Sequence, residues 1–152
     1  HNWQQPLRGD WTVQLNEAVL AAPAPVVLVA HSLGCILTAW WARHAPPAVV
    51  GKVQAALLVA PGDVEQADLR QHLPGWGPIA RQRLPFAAVV VGSQNDPYCR
   101  LARAQQLAAD WGAQWVDAGA AGHINSASQL GDWPQGHALL QDLVKDSVHG
   151  KR

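Results

Sequence analysis

Pro25-Val26-Val27-Leu28-Val29-Ala30-His31-Ser32-Leu33-Gly34-Cys35-Ile36-Leu37-Thr38-Ala39-Trp40-Trp41 carries two different periodicities in one run. Val26 to Ala30 is continuously apolar and rich in β-branched residues, the pattern of a strand buried on both faces of a parallel sheet. From Leu33 onward Ile36, Leu37, Trp40 and Trp41 fall at helical spacing, predicting a helix over 33–44. Strand, tight turn and helix thus follow one another, with Ser32 at the apex.

The same two patterns alternate along the rest of the chain. Ala55 to Ala60, stopped by Pro61-Gly62, and Phe86 to Val91, stopped by Gly92-Ser93, predict two more buried strands; Gln114 to Asp117 predicts a weaker fourth. Helical spacing recurs over 11–21, 101–111 and 135–148. Parallel strands need crossover connections, so the alternation predicts a Rossmann-like α/β fold: a parallel sheet flanked by helices on both faces, with functional groups at the carboxyl ends of strands. A length of 152 residues, 49% of them hydrophobic, is expected to make a single domain over 1–152. Gly62 to Pro85, which contains Pro74-Gly75-Trp76-Gly77-Pro78, is expected to cross the top of the sheet as a partial cap.

Composition narrows the range of partners. Lys plus Arg and Asp plus Glu number 11 each, and neither sign is gathered into a block, which argues against a nucleic-acid or membrane surface as partner. Apolar runs stay far below the roughly 20 residues that span a bilayer. Cys35 and Cys99 are too few for a disulfide framework and lack the paired spacing of a zinc site, so neither metal nor cofactor is expected, and a reducing, cytoplasmic setting is favoured. The chain opens His1-Asn2-Trp3 without an initiator methionine or a signal-peptide pattern, and is expected to be a fragment whose true start is missing. Its oligomeric state is not legible.

A serine held in a strained strand-to-helix turn needs small residues two before and two after it, so that strand and helix can approach. Ala30 and Gly34 meet that need, Ala30 standing where the G-x-S-x-G pattern has its first glycine. The backbone N–H of Leu33, at the helix start, is expected to face a developing oxyanion. Set against this is a plain N-cap role for Ser32.

A nucleophile elbow is followed in chain order by an acid and then a histidine. Gly92-Ser93-Gln94-Asn95-Asp96-Pro97 follows the third strand and offers Asp96; its competing role is to cap the next helix. Gly119-Ala120-Ala121-Gly122-His123-Ile124-Asn125 follows the fourth strand and offers His123 as general base. Asp63 and Asp117 are weaker rivals for the acid. His31, beside the serine, and His44, His72, His137 and His149 are expected to have surface or packing roles. The combination predicts a Ser32–His123–Asp96 triad acting through an acyl-enzyme.

With these motifs in place the chain resembles the serine hydrolase family of retinoblastoma-binding protein nine and the bacterial YdeN-like proteins. The resemblance is carried by His1-Asn2-Trp3, Ala30-His31-Ser32-Leu33-Gly34-Cys35, Trp76 with Leu84-Pro85-Phe86, Ser93-Gln94-Asn95-Asp96-Pro97-Tyr98, Gly122-His123-Ile124-Asn125 and Gly131-Asp132-Trp133-Pro134. It implies an α/β-hydrolase with the same triad. It also implies an N-terminal strand and a Gly-rich loop with helix, about 30 residues by one βα unit of a typical βαβ, which are expected to be missing ahead of His1 and which would supply a second oxyanion donor. The Leu-x-Cys-x-Glu signature of retinoblastoma-protein binding is absent, because Leu33-Gly34-Cys35-Ile36-Leu37 has no Glu.

Eight Trp beside one Phe and one Tyr make packing the default role for Trp40, Trp41 and Trp111. Trp76 and Trp133 are the candidates for lining a substrate pocket. The expected partner is a small-molecule ester or acyl compound. Two competing readings are a protein-binding module on a hydrolase scaffold and thiol chemistry at Cys35 or Cys99.

Overall fold

In chain order the elements are α1 (Arg8–Ala21), β1 (Val26–His31), α2 (Leu33–His44), α3 (Pro47–Val50), β2 (Val53–Val59), α4 (Ala67–His72), β3 (Ala87–Gly92), α5 (Leu101–Trp111), β4 (Gln114–Asp117) and α6 (Pro134–Val148). They come from a computed structural model that describes residues 7–23, 25–124 and 134–148. Every predicted strand and long helix is present to within a few residues. The short α3 and α4 are additions: neither is long enough for helical periodicity to register, though Pro47 at the start of α3 supplies a preset φ.

All four strands pair in parallel, in the order β1-β2-β3-β4. The crossovers from β1 to β2 and from β3 to β4 put α2 and α5 on one face of the sheet. There Ala56, Leu58, Ala88 and Val90 pack with Ile36, Trp41, Leu107 and Trp111 of α2 and α5. The opposite face, with Ala55, Leu57, Val59, Val89 and Val91, is covered by Leu139, Leu140 and Leu143 of α6. Each Val, Leu or Ile among them contributes roughly 1.5–3 kcal/mol when fully buried.

β1 departs from the expectation of burial on both faces, for Val29 is 62% exposed. β1 is an edge strand, and α6 packs mainly over β2 and β3, so that face of β1 is less covered at Val29 than the inner strands are. A continuous apolar run does not reveal whether its strand is central or at an edge.

The segment from Gly62 to Pro85 is pinned down more firmly than a surface excursion would be. Glu65 accepts hydrogen bonds from Ile79 N (2.9 Å), Arg81 Nη2 (2.6 Å) and Arg103 Nη2, while Arg81 also reaches Asp110 Oδ2 (3.1 Å). Burial pushes the Glu65 carboxyl up, but the Ile79 amide and the Arg81 and Arg103 guanidiniums outweigh it and hold the group below its ordinary value. Ile79, Ala80 and Leu84 are buried, and Trp111 Nε1 donates to Ala80 O at 2.7 Å. What this pinning achieves is to hold α4 over the end of β1.

Candidate active site

Ser32 follows the last residue of β1 with φ 58° and ψ −116°, a conformation that L residues rarely adopt. Backbone bonds fix it there: Ser32 N donates to Val59 O (3.0 Å) and Cys35 N to Ser32 O (3.1 Å). A Cβ added to Gly34 would lie 3.3 Å from Ala30 Cβ, and one added to Gly62 would lie 3.4 Å from Ser32 Oγ. Small residues at 30, 34 and 62 therefore leave room for the turn and for the hydroxyl. The Ser32 side chain makes no capping bond to α2, so the plain N-cap alternative fails.

His123 sits on the loop after β4, where Gly119 (φ 75°) and Gly122 (φ 60°) turn the backbone back toward β1. Its Nε2 is 2.9 Å from Ser32 Oγ, and its Nδ1 is 2.8 and 3.0 Å from the two carboxylate oxygens of Asp96. With Nδ1–H donating to Asp96, Nε2 is left to accept from the serine hydroxyl. The Asp96 side chain is 2% exposed and also accepts Tyr98 N at 2.8 Å. It does not cap α5, whose N-cap is Arg100.

The rival acids are engaged elsewhere. Asp63 pairs with Arg103 Nε (3.4 Å) and accepts Glu65 N (3.1 Å), while Asp117 accepts Gly119 N (2.7 Å) and Gln94 Nε2 (3.1 Å).

Four residues to which the motif reading gave no role in the triad brace this arrangement. Ser93 Oγ donates to Asn95 Oδ1 (3.0 Å) and accepts Ala121 N (2.9 Å), and Asn95 Oδ1 accepts Gly122 N (2.7 Å), so the acid loop and the histidine loop are laced together. Tyr98 meets the His123 ring edge-on, with centroids 4.7 Å apart. His31 lies on another side of that ring at 4.6 Å, and its Nε2 is 2.7 Å from His123 O. Adjacency to Ser32 was the one sequence signal that could have singled out His31.

Ser32 opens on a cavity of about 320 Å³ walled by Leu33, Leu69, Leu73 and Tyr98. Trp76 is not on that wall, which corrects the sequence expectation. It is fully buried and packs edge-on against Trp11 at 5.5 Å, because the glycines and prolines around it fold the segment into the core. Trp133 lies outside the described residues, as do Asn125 and 131–132 of the resemblance motifs. The thiol reading fares poorly: Cys35 and Cys99 are buried, and burial pushes both thiols well up, Cys99 to about 12. Among the described residues no helix is long and apolar enough to cross a membrane.

The family model described as Serine hydrolase matches residues 1–142. Comparison with curated proteins gives no match. Among solved structures the chain is similar to a YdeN-like hydrolase from Pectobacterium atrosepticum, at 24% identity and a TM-score of 0.81 over 97% of this chain and 74% of that one. It is also similar to the ydeN gene product of Bacillus subtilis, at 18% identity and a TM-score of 0.74 over 93% and 77%. A third similar structure is esterase 2 of Thermogutta terrifontis, at 15% identity and a TM-score of 0.64 over 91% and 64%. The fold these likenesses share is that of the α/β-hydrolases.

Proposed function

The chain belongs to the serine hydrolase family, and on that premise we propose that it cleaves a small ester or short acyl substrate through Ser32, His123 and Asp96. The observation that carries this reading is the continuous pair of hydrogen bonds, 2.9 Å from Ser32 Oγ to His123 Nε2 and 2.8 Å from His123 Nδ1 to Asp96.

In this reading His123 takes the Ser32 proton as Oγ attacks the carbonyl, and Asp96 holds the tautomer and stabilises the imidazolium. The same proton then passes to the leaving group. Water, deprotonated by His123, attacks the acyl-enzyme and frees Ser32. Leu33 begins α2, and the first amides of a helix have no acceptor within it, so its N–H is the donor we assign to the oxyanion.

A cavity of about 320 Å³ is at the lower end of ligand pockets, which run to roughly 1,000 Å³. Leu33, Leu69 and Leu73 favour an apolar acyl group. Hydrolysis of p-nitrophenyl acetate, butyrate and dodecanoate tests the proposal: turnover of the two short esters, lost in Ser32→Ala, is expected. Equal turnover by Ser32→Ala, or preference for dodecanoate, contradicts it.

A further inference from the structure

We propose that His31 is a positioning residue, its Nε2–H tying the histidine loop to the strand that carries the nucleophile. The inference rests on the triad reading above.

His31 ends β1 and is bonded covalently to Ser32. Its Nε2 stands 2.7 Å from His123 O, and a carbonyl oxygen only accepts, so the proton is on Nε2. The loop that presents His123 is irregular, with Gly119, Gly122 and Ile124 all at positive φ, and it is held by individual bonds rather than by a ladder. Its bonds from Ala121 N to Ser93 and from Gly122 N to Asn95 reach the acid loop after β3. Those bonds join the His123 loop to the loop that carries Asp96, not to β1. Among the described residues His31 supplies the tie from that loop's backbone to the nucleophile's own strand. The His31 and Tyr98 rings, 4.6 and 4.7 Å from the His123 ring, then limit its rotation.

Proton transfer from Ser32 depends steeply on that alignment. His31 does not line the cavity at Ser32, so substrate binding is independent of it. Loss of the tie therefore lowers kcat and leaves KM alone.

His31→Phe keeps a ring and removes the donor; His31→Gln keeps an amide N–H near the position of Nε2. With p-nitrophenyl butyrate, His31→Phe is expected to lose about tenfold in kcat, the scale of one hydrogen bond, with KM within about twofold, and His31→Gln to recover most of the loss. The His123 Nδ1–H proton resonance reads the same geometry without substrate, broadening in His31→Phe and persisting in His31→Gln. Unchanged kcat and resonance in His31→Phe overturn the proposal. So does equal impairment of both variants, which would mean that the N–H donor does not account for the role, and so does loss confined to His31→Gln, which would mean that only the ring's packing matters. Full activity in Ser32→Ala instead removes the triad reading, and this inference with it.

Discussion

Ala30 and Gly34 meet across the turn at Ser32, so that a Cβ on Gly34 would stand 3.3 Å from the methyl of Ala30. The methyl that replaces the first glycine of the elbow pattern thus uses up the space that the second glycine leaves. Two opposing effects act on Gly34→Ala: alanine is favoured over glycine in a helix by about 1 kcal/mol, while crowding pushes α2 away from β1. We expect near-unchanged thermal stability and slower hydrolysis, with activity restored by adding Ala30→Gly. Full activity in Gly34→Ala alone would show that the turn has slack.

Backbone strain at Ser32 makes a prediction in the other direction. At φ 58° and ψ −116° a glycine is comfortable and an alanine is not. Ser32→Gly is therefore expected to be more stable than Ser32→Ala by about 1 kcal/mol in urea unfolding, with both inactive. Equal stabilities would mean that the turn holds no strain.

Asp96→Asn keeps the shape of the acid but removes the charge that faces imidazolium. A fall in kcat of about 10⁴ is expected, by analogy with the same change in serine proteases, whereas Asp63→Asn and Asp117→Asn stay within about twofold. A comparable loss in Asp63→Asn would reassign the acid.

Much of this site could be read from local sequence because each member lies just beyond an apolar run. Ser32 follows Val26 to His31, Asp96 follows Ala87 to Gly92, and His123 follows Gln114 to Asp117; in a parallel sheet those ends converge. What local pattern does not encode is which strand is at the edge, hence the exposure of Val29. It also does not encode what a Pro- and Gly-rich segment packs against, hence the burial of Trp76. The cavity wall comes from α4, only six residues long, where Leu69 and the following Leu73 are spaced too sparsely to announce an apolar face. His31 was passed over because its partner is a backbone carbonyl 92 residues away.

The buried thiols give a pH dependence of known sign. Burial first, then the nearby charges of Asp63 and Asp96, raises Cys99 from an ordinary 9.0 to about 12. Below pH 9 the thiol is protonated whether the chain is folded or not. Above it the unfolded chain releases a proton that the folded chain keeps, so stability is lost as pH rises from about 9 through about 12. Cys99→Ala should flatten that decline in urea unfolding between pH 8 and 10. A thiol reagent at pH 8 should leave the native protein unmodified and label both cysteines once it is unfolded; rapid native labelling would contradict their burial.

The central claim is an activated serine at position 32, and intact-mass measurement after incubation with a fluorophosphonate probe tests it most directly. A single adduct that maps to Ser32, absent in Ser32→Ala and strongly slowed in His123→Ala, is the predicted result. No adduct on the folded protein, or an adduct that persists in Ser32→Ala, would contradict it.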